Sequence, residues 1–215
     1  MKLLVATPTK QGALFRRAAD SVFRQEWDGQ LDILYLLGGA SDPLAANVIL
    51  KKSNEARILA LSGNYDALYI GAGDIIMPPD ALQRLVAVDA DVVYLLYCCG
   101  QVPGYPWNVA TSLSEGEITW LSHDKEAARA AWGKVVDCAG NGACLIHRRV
   151  LERLEFRTPR PLIYAQDWYL SIDCQREGFT QKADLGVPCG HISTDPLRIY
   201  WPDPNYEALY RVEMM

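Results

Sequence analysis

The sequence predicts an α/β fold built on a mainly parallel sheet with helices on its faces. Three observations carry this. Short apolar runs alternate with helical patterns through the first hundred residues, and strand–helix–strand repetition implies right-handed crossovers between parallel strands. The apolar runs end in turn chemistry, at Thr7-Pro8-Thr9, Gly38-Gly39 and Gly71-Ala72-Gly73. A chain of 215 residues, 50% of them hydrophobic, is also large enough for one domain with a full core.

Taken in order, Leu3-Leu4-Val5-Ala6 is a short buried strand. Leu14 to Arg24 is a helix with Leu14, Ala18 and Val22 on one face and Arg16, Arg17, Asp20 and Arg24 outside. Leu31 to Leu37 is the second strand. A helix then runs from about Pro43 into the sixties, with Ser41 or Asp42 as N-cap and Pro43 in the first turn. Tyr65 to Ile70 is apolar on both faces, which places it centrally in the sheet. A helix over Pro79–Val88 and a strand over Asp91–Cys98 follow. Between residues 100 and 134 the pattern is irregular, with short strand-like pieces around Val109 and Ile118. Val135–Cys138 and Ala143–Ile146 are strands flanking Gly140-Asn141-Gly142. Arg148–Leu154 is a short helix, and Gln166–Gly178 is a longer one ended by glycine. A last strand covers Gly186–Ile192, and the tail over 196–215 is extended and packs on the body.

The net charge of −5 argues against a nucleic-acid partner, since the short basic clusters Lys51-Lys52 and His147-Arg148-Arg149 make no phosphate-binding surface. The six cysteines contain no Cys-x-x-Cys and their spacings do not suit zinc. They read as buried thiols of a cytoplasmic protein. The apolar start, broken at Pro8, is too short for a signal peptide. No stretch approaches the roughly 20 apolar residues of a membrane span.

The run Tyr65-Asp66-Ala67-Leu68-Tyr69-Ile70-Gly71-Ala72-Gly73-Asp74-Ile75-Ile76-Met77-Pro78-Pro79-Asp80 carries the functional signal. An apolar strand enters a glycine-bracketed turn whose one charge is Asp74, beyond the strand's carboxyl end, where open α/β sheets place their ligands. This run resembles the strand and metal-binding turn of GT-A glycosyltransferases, especially family 2, which read Asp-x-Asp before apolar residues and Pro; here Ala72 stands for the first Asp. Further segments extend the resemblance from residue 3 to residue 191. The opening strand with Thr7-Pro8-Thr9, then Gly38-Gly39-Ala40-Ser41-Asp42, is similar to the family's nucleotide-holding Asp-Asp-Gly-Ser-x-Asp, of which Ser41 and Asp42 are kept. Glu55-Ala56-Arg57 resembles Ala-Arg-Asn, whose basic residue faces the nucleotide. Cys189-Gly190-His191 matches the downstream metal-binding His. Tyr164-Ala165-Gln166-Asp167-Trp168-Tyr169 resembles the Glu-Asp motif that opens a helix and supplies the catalytic base. Gly140 to Arg149 is similar to the glycine-rich strand that runs under the acceptor into Arg-Arg.

The resemblance implies a GT-A-like single domain over 1–215 with a Rossmann-like sheet: a nucleotide-binding half over 1–100, a smaller acceptor half over 101–195 and the tail over 196–215. It implies a nucleotide-diphosphate sugar as donor and a carbohydrate or other hydroxyl acceptor. Thr7, Asp42, Arg57 and Asp74 would serve the donor, Asp74 and His191 would hold Mn²⁺ or Mg²⁺, and Asp167 would be the base of an inverting transfer.

Each of these residues also has a reading without a ligand. Ser41-Asp42 caps a helix, Arg57 pairs with Glu55 or with solvent, and His191 is a satisfied histidine. Asp167 is a first-turn carboxylate complementing the helix dipole. Trp107, Trp120, Trp132 and Trp168 offer flat faces to a sugar, but tryptophans more often pack in the core. Acids preferred by the family are replaced at Gly38, Gly39, Ala72 and Gln166, so a non-catalytic GT-A-like protein binding sugar, nucleotide or protein stays open. A sugar nucleotidyltransferase is third, with Thr9-Lys10-Gln11-Gly12 as a thin version of its glycine-rich loop. Fold by itself does not decide among them.

Overall fold

The computed structural model describes residues 1–10, 16–38, 45–99, 104–114, 117–140, 142–158, 166–194 and 197–215. The first half runs β1 (Lys2–Lys10), α1 (Arg16–Phe23), β2 (Gln30–Gly38), α2 (Ala45–Ser62), β3 (Ala67–Ile70), β4 (Ile75–Ile76), α3 (Ala81–Ala87) and β5 (Val92–Leu96). The second half runs β6 (Val109–Ser114), β7 (Glu117–Trp120), α4 (Lys125–Ala131), β8 (Val135–Asp137), β9 (Ala139–Gly140), β10 (Cys144–His147), α5 (Arg148–Arg153), α6 (Gln166–Glu177), β11 (Gln181–Pro188), β12 (Gly190–Thr194), β13 (Leu197–Pro202) and β14 (Tyr210–Met214).

The central sheet has seven strands in the order β2-β1-β3-β10-β5-β11-β8. The strands β2, β1, β3, β5 and β11 run one way, and β10 and β8 run against them. All four residues of β3 are buried, and it pairs with β1 on one side and β10 on the other. An interior strand covered on both faces needs such an unbroken apolar run. Side-chain alternation then divides the core in two. Leu3, Val5, Tyr69, Val93, Leu95 and Leu145 point to the face packed by α1 and α3. Leu4, Ala6, Leu68, Ile70, Tyr94 and Ile146 point to the face packed by α2 and α5.

The sheet is mainly parallel, as expected, and the antiparallel direction of β10 within it has a local cause. The chain reaches the sheet at Gly142, on the edge where β3 and β5 end, and must descend from there. Cys144 accordingly pairs with Ile70 and Tyr94, and β10 continues down to His147 opposite Ala67.

The single strand expected over Gly186–Ile192 is two. Strand β11 ends at Pro188, the Cys189 N–H donates to Leu96 O at 2.7 Å, and β12 enters a second sheet ordered β14-β13-β12-β4. The extended tail thus becomes two strands of that sheet, with Tyr200 and Leu209 buried and the Trp107 indole donating to Leu209 O at 2.8 Å. A third sheet is ordered β7-β6-β9. Helix α4 lies in the stretch read as irregular. Asp124 caps it, its carboxylate accepting from the Glu126 and Ala127 N–H groups. All six cysteines are free thiols, five of them buried. No described helix is long and apolar enough to cross a membrane.

Candidate functional site

The carboxyl ends of β1, β3 and β5 converge on one edge of the sheet, and the 71–74 turn leaves β3 there. Short β4 follows and pairs antiparallel with β12, setting His191 opposite Ile75. The Ile192 N–H donates to Asp74 O at 2.9 Å, so backbone pairing alone brings two residues 117 positions apart into contact. His191 Nε2 lies 3.4 Å from Asp74 Oδ2. The other ring nitrogen, Nδ1, is 2.6 Å from Cys98 O and therefore donates to it. The Tyr97 ring packs on the imidazole edge-on, at 5.3 Å between centroids.

This arrangement fixes the histidine's chemistry. Burial by itself would lower the His191 pKa, but the Asp74 carboxylate and the Cys98 carbonyl oxygen outweigh it and raise the value above the ordinary 6.5. With Nδ1–H committed to a backbone carbonyl, Nε2 either carries a proton toward Asp74 or offers its lone pair to an electrophile lying between them. Asp74 Oδ1 is buried and has no hydrogen-bond partner. An orphaned buried carboxylate oxygen is costly, and a cation against it removes that cost. Two ligands each about 2.1 Å from one ion stand roughly 3.0–3.4 Å apart, so the pair is spaced to share one. Among the described residues no group of three or more His, Cys, Asp or Glu side chains is arranged to hold a metal ion by itself. An ion here would take its other ligands from water and substrate, as Mg²⁺-type sites do.

A cavity of about 290 Å³ opens beside this pair. Ile49, Ile70, Phe156 and Leu170 supply apolar walls, and Ser53, Gln166 and Asp167 supply the polar side chains. Tyr97 is the shared partition. Its ring touches His191 on one side and lines the cavity on the other, and burial first, then Cys99, Asp167 and Asp74, hold its phenol ionisation well up.

Asp167 stands in the first turn of α6, and its carboxylate accepts from the N–H groups of Trp168, at 3.0 Å, and of Gly142. Burial raises its pKa above the carboxylate value, and those donors only partly offset the rise. A carboxylate in this state takes a proton more readily than an exposed one. Gly142 has φ +73°, and a Cβ there would lie 1.8 Å from the Tyr97 hydroxyl, so only glycine fits between Tyr97 and Asp167.

The structure brings Asp74 and His191 together and sets Asp167 across Tyr97 from them. Thr7 is buried at the end of β1. Arg57 is not brought to this edge. Its guanidinium donates to Leu151 O at 2.7 Å, faces Glu155 rather than the expected Glu55, and pins α2 to the end of α5. Ser53, one helical turn nearer the carboxyl edge of the sheet, faces the cavity instead. Asp42, with Ser41, lies outside the described residues.

No protein-family profile matches this chain, and no curated protein matches it. Solved structures do. A197 from STIV superposes with a TM-score of 0.60 at 17% identity, covering 100% of this chain and 94% of that one. The glycosyltransferase TarS from S. aureus, as residues 1–349, gives a TM-score of 0.51 at 10% identity over 85% of this chain and 58% of that one. A longer TarS structure gives 0.51 at 11% identity, with 35% of that chain covered. At such identities the likeness is one of fold. It is consistent with a GT-A-like arrangement of the sheet.

Two site residues escaped the sequence reading. Ser53 shares a helical face with Ile49, Ala56 and Ala60, and a serine on an otherwise apolar stripe is the signal that could have found it. Tyr97 ends the apolar run of β5, and nothing in that run sets it apart from the buried Tyr94.

Proposed function

We propose that this protein is a glycosyltransferase that uses a nucleotide-diphosphate sugar and a divalent cation, Mn²⁺ or Mg²⁺, and transfers the sugar to a hydroxyl acceptor with inversion. The observation that carries this reading is the Asp74–His191 pair, with its 3.4 Å spacing and orphaned Asp74 oxygen, on the carboxyl edge of the sheet and one aromatic ring from Asp167. When bound between Asp74 and His191, the cation would supply Lewis-acid neutralisation of the leaving diphosphate. Asp167, half-buried and with its pKa raised, accepts the proton of the acceptor hydroxyl as that oxygen attacks the anomeric carbon and the bond to the diphosphate breaks. The Tyr97 ring stands between the two carboxylates. The likeness to TarS supports the fold half of this reading.

The test is nucleotide binding with and without metal. Thermal shift with UDP and GDP should rise when MnCl₂ replaces EDTA, following RT ln(1 + [L]/Kd). Asp74→Asn should erase the difference between the two conditions while leaving the metal-free melting temperature within a few degrees. Equal nucleotide stabilisation in MnCl₂ and EDTA would refute the metal assignment.

A second reading is favoured by two observations: Arg57 turns to α5, and the described residues hold no third metal-ligating side chain near Asp74. On that reading the protein binds a nucleotide sugar without transferring it. Metal-dependent donor binding with neither transfer nor hydrolysis would select it.

A further inference from the structure

The cavity beside Tyr97 has a chemistry of its own. Ser53 is 1% exposed and Gln166 9%, and Ser53 Oγ and Gln166 Oε1 both lack hydrogen-bond partners. Both residues line the cavity with Asp167. Unpaired buried polar atoms around an open space call for a ligand or ordered water to satisfy them. Gln166 Oε1 and the Asp167 carboxylate can only accept, so the ligand must bring O–H or N–H donors. The remaining described walls are apolar or aromatic, among them Phe156 and Tyr94. A pyranoside in this space would bury several hydroxyls against carbon, whereas a flat or branched hydrocarbon body would be well solvated there.

We infer that this cavity takes a small alcohol with an apolar body, aryl or alkyl, that directs its hydroxyl to the polar cluster of Ser53, Gln166 and Asp167. The inference rests on the transferase reading in one respect: the alcohol would then be the acceptor rather than a bound effector. A volume of about 290 Å³ suits a ligand of roughly a dozen heavy atoms at protein packing density. Neither a lipid chain nor an oligosaccharide would fit whole within that volume. A purine or pyrimidine nucleoside is the nearest rival, but it carries roughly half as many heavy atoms again as this volume suits.

The experiment is saturation-transfer NMR of the full chain with benzyl alcohol, methyl glucoside and uridine, without a sugar donor. Benzyl alcohol is expected to bind in the millimolar range usual for so small a ligand. Ser53→Leu fills the cavity from α2 and is expected to weaken benzyl alcohol at least 10-fold. Should that variant fail to fold, Leu170→Phe fills it from α6 with the same expected loss. Binding of methyl glucoside or uridine without benzyl alcohol overturns the inference. So does benzyl alcohol binding that a folded filling variant leaves unchanged, because the ligand is then elsewhere. Because no donor is present, the two readings fail separately. Benzyl alcohol seated in the cavity of a protein that transfers nothing keeps the pocket and removes the transferase. Transfer to methyl glucoside by a protein that ignores benzyl alcohol does the reverse.

Discussion

Replacing Gly142 by alanine tests whether Tyr97 is a fixed partition. Two costs follow from the geometry. Gly142 has φ +73°, and an L-residue in that region gives up about 1 kcal/mol. The new Cβ would stand 1.8 Å from the Tyr97 hydroxyl and 2.8 Å from its Cζ, against a normal contact of about 3.5 Å. The ring must therefore withdraw by about 1.7 Å. It is 6% exposed and backs onto His191, so it cannot swing without repacking, and overpacking of this kind costs about 1–3 kcal/mol. The total is about 2–4 kcal/mol, or roughly 5–15 °C in Tm for a chain of this length.

Removing the hydroxyl should relieve most of the clash. Tyr97→Phe alone measures what the hydroxyl contributes when residue 142 is still glycine. In the double variant the closest atom is gone, and only a shift of about 0.7 Å at Cζ remains. Urea unfolding of the four proteins should then show a favourable coupling of about 1–2 kcal/mol. The His191 ring protons should shift in Gly142→Ala and move back in the double variant. Additivity within about 0.5 kcal/mol, or an unmoved His191 spectrum, would show that Gly142 and Tyr97 do not share this space.

Asp167→Asn should cut sugar transfer by about 100- to 10,000-fold while leaving nucleotide-diphosphate binding unchanged, as read by steady-state rates beside calorimetry. In the unmodified protein the rate should fall as pH drops through the Asp167 pKa, which burial sets above the usual 3.8; a flat profile down to pH 4 would remove the base role. His191→Gln should abolish the MnCl₂-dependent part of nucleotide binding, measured by thermal shift, and retained metal dependence would place the ion elsewhere. At Asp91, burial disfavours the charge, but Thr180 N–H and O–H and the Arg149 guanidinium more than reverse that and lower its pKa. Its stabilisation is therefore present above the unfolded value near 3.9 and lost as pH falls through the folded one. Asp91→Asn should cost about 1–3 kcal/mol at pH 7, and the gap should close in acid urea titrations.

The first half of the fold was readable because its signals are local. Strands β1, β3 and β5 are short apolar runs of the kind that burial on both sheet faces demands, and the edge strand β2 is half-buried but still largely apolar. The direction of β10 was not readable, because it depends on which edge the chain arrives from and not on the sequence of the strand. The tail shows the same limit. Trp201, Tyr200 and Tyr210 are good strand residues, yet without β12 and β4 as partners they read only as an extended segment. Helix α4 has a usable start signal in Asp124 before an alanine-rich run, but the strand-like pieces around Val109 and Ile118 that precede it give the stretch no helical period.

The site divides along the same line. Asp74 was legible from the turn that presents it, and His191 from its place after a glycine at a strand's end. Their contact depends on β4, a two-residue strand no periodicity could reveal, which pairs with β12 and closes the gap between sequence positions 74 and 191. Arg57 shows the converse. Its motif was recognisable, but a motif specifies a helix position and not the rotamer, and Leu151 O and Glu155 lie within reach of that guanidinium. Ser53 occupies the place nearer the cavity at lower desolvation cost, since a hydroxyl loses less hydration on burial than a guanidinium does. The erosion of acids noted along the chain thus has a spatial counterpart: beside the cavity the polar groups are neutral apart from Asp167, and the second carboxylate, Asp74, is kept beyond Tyr97. A pocket so arranged favours an uncharged ligand next to one half-buried carboxylate, with Asp74 and His191 held one ring away.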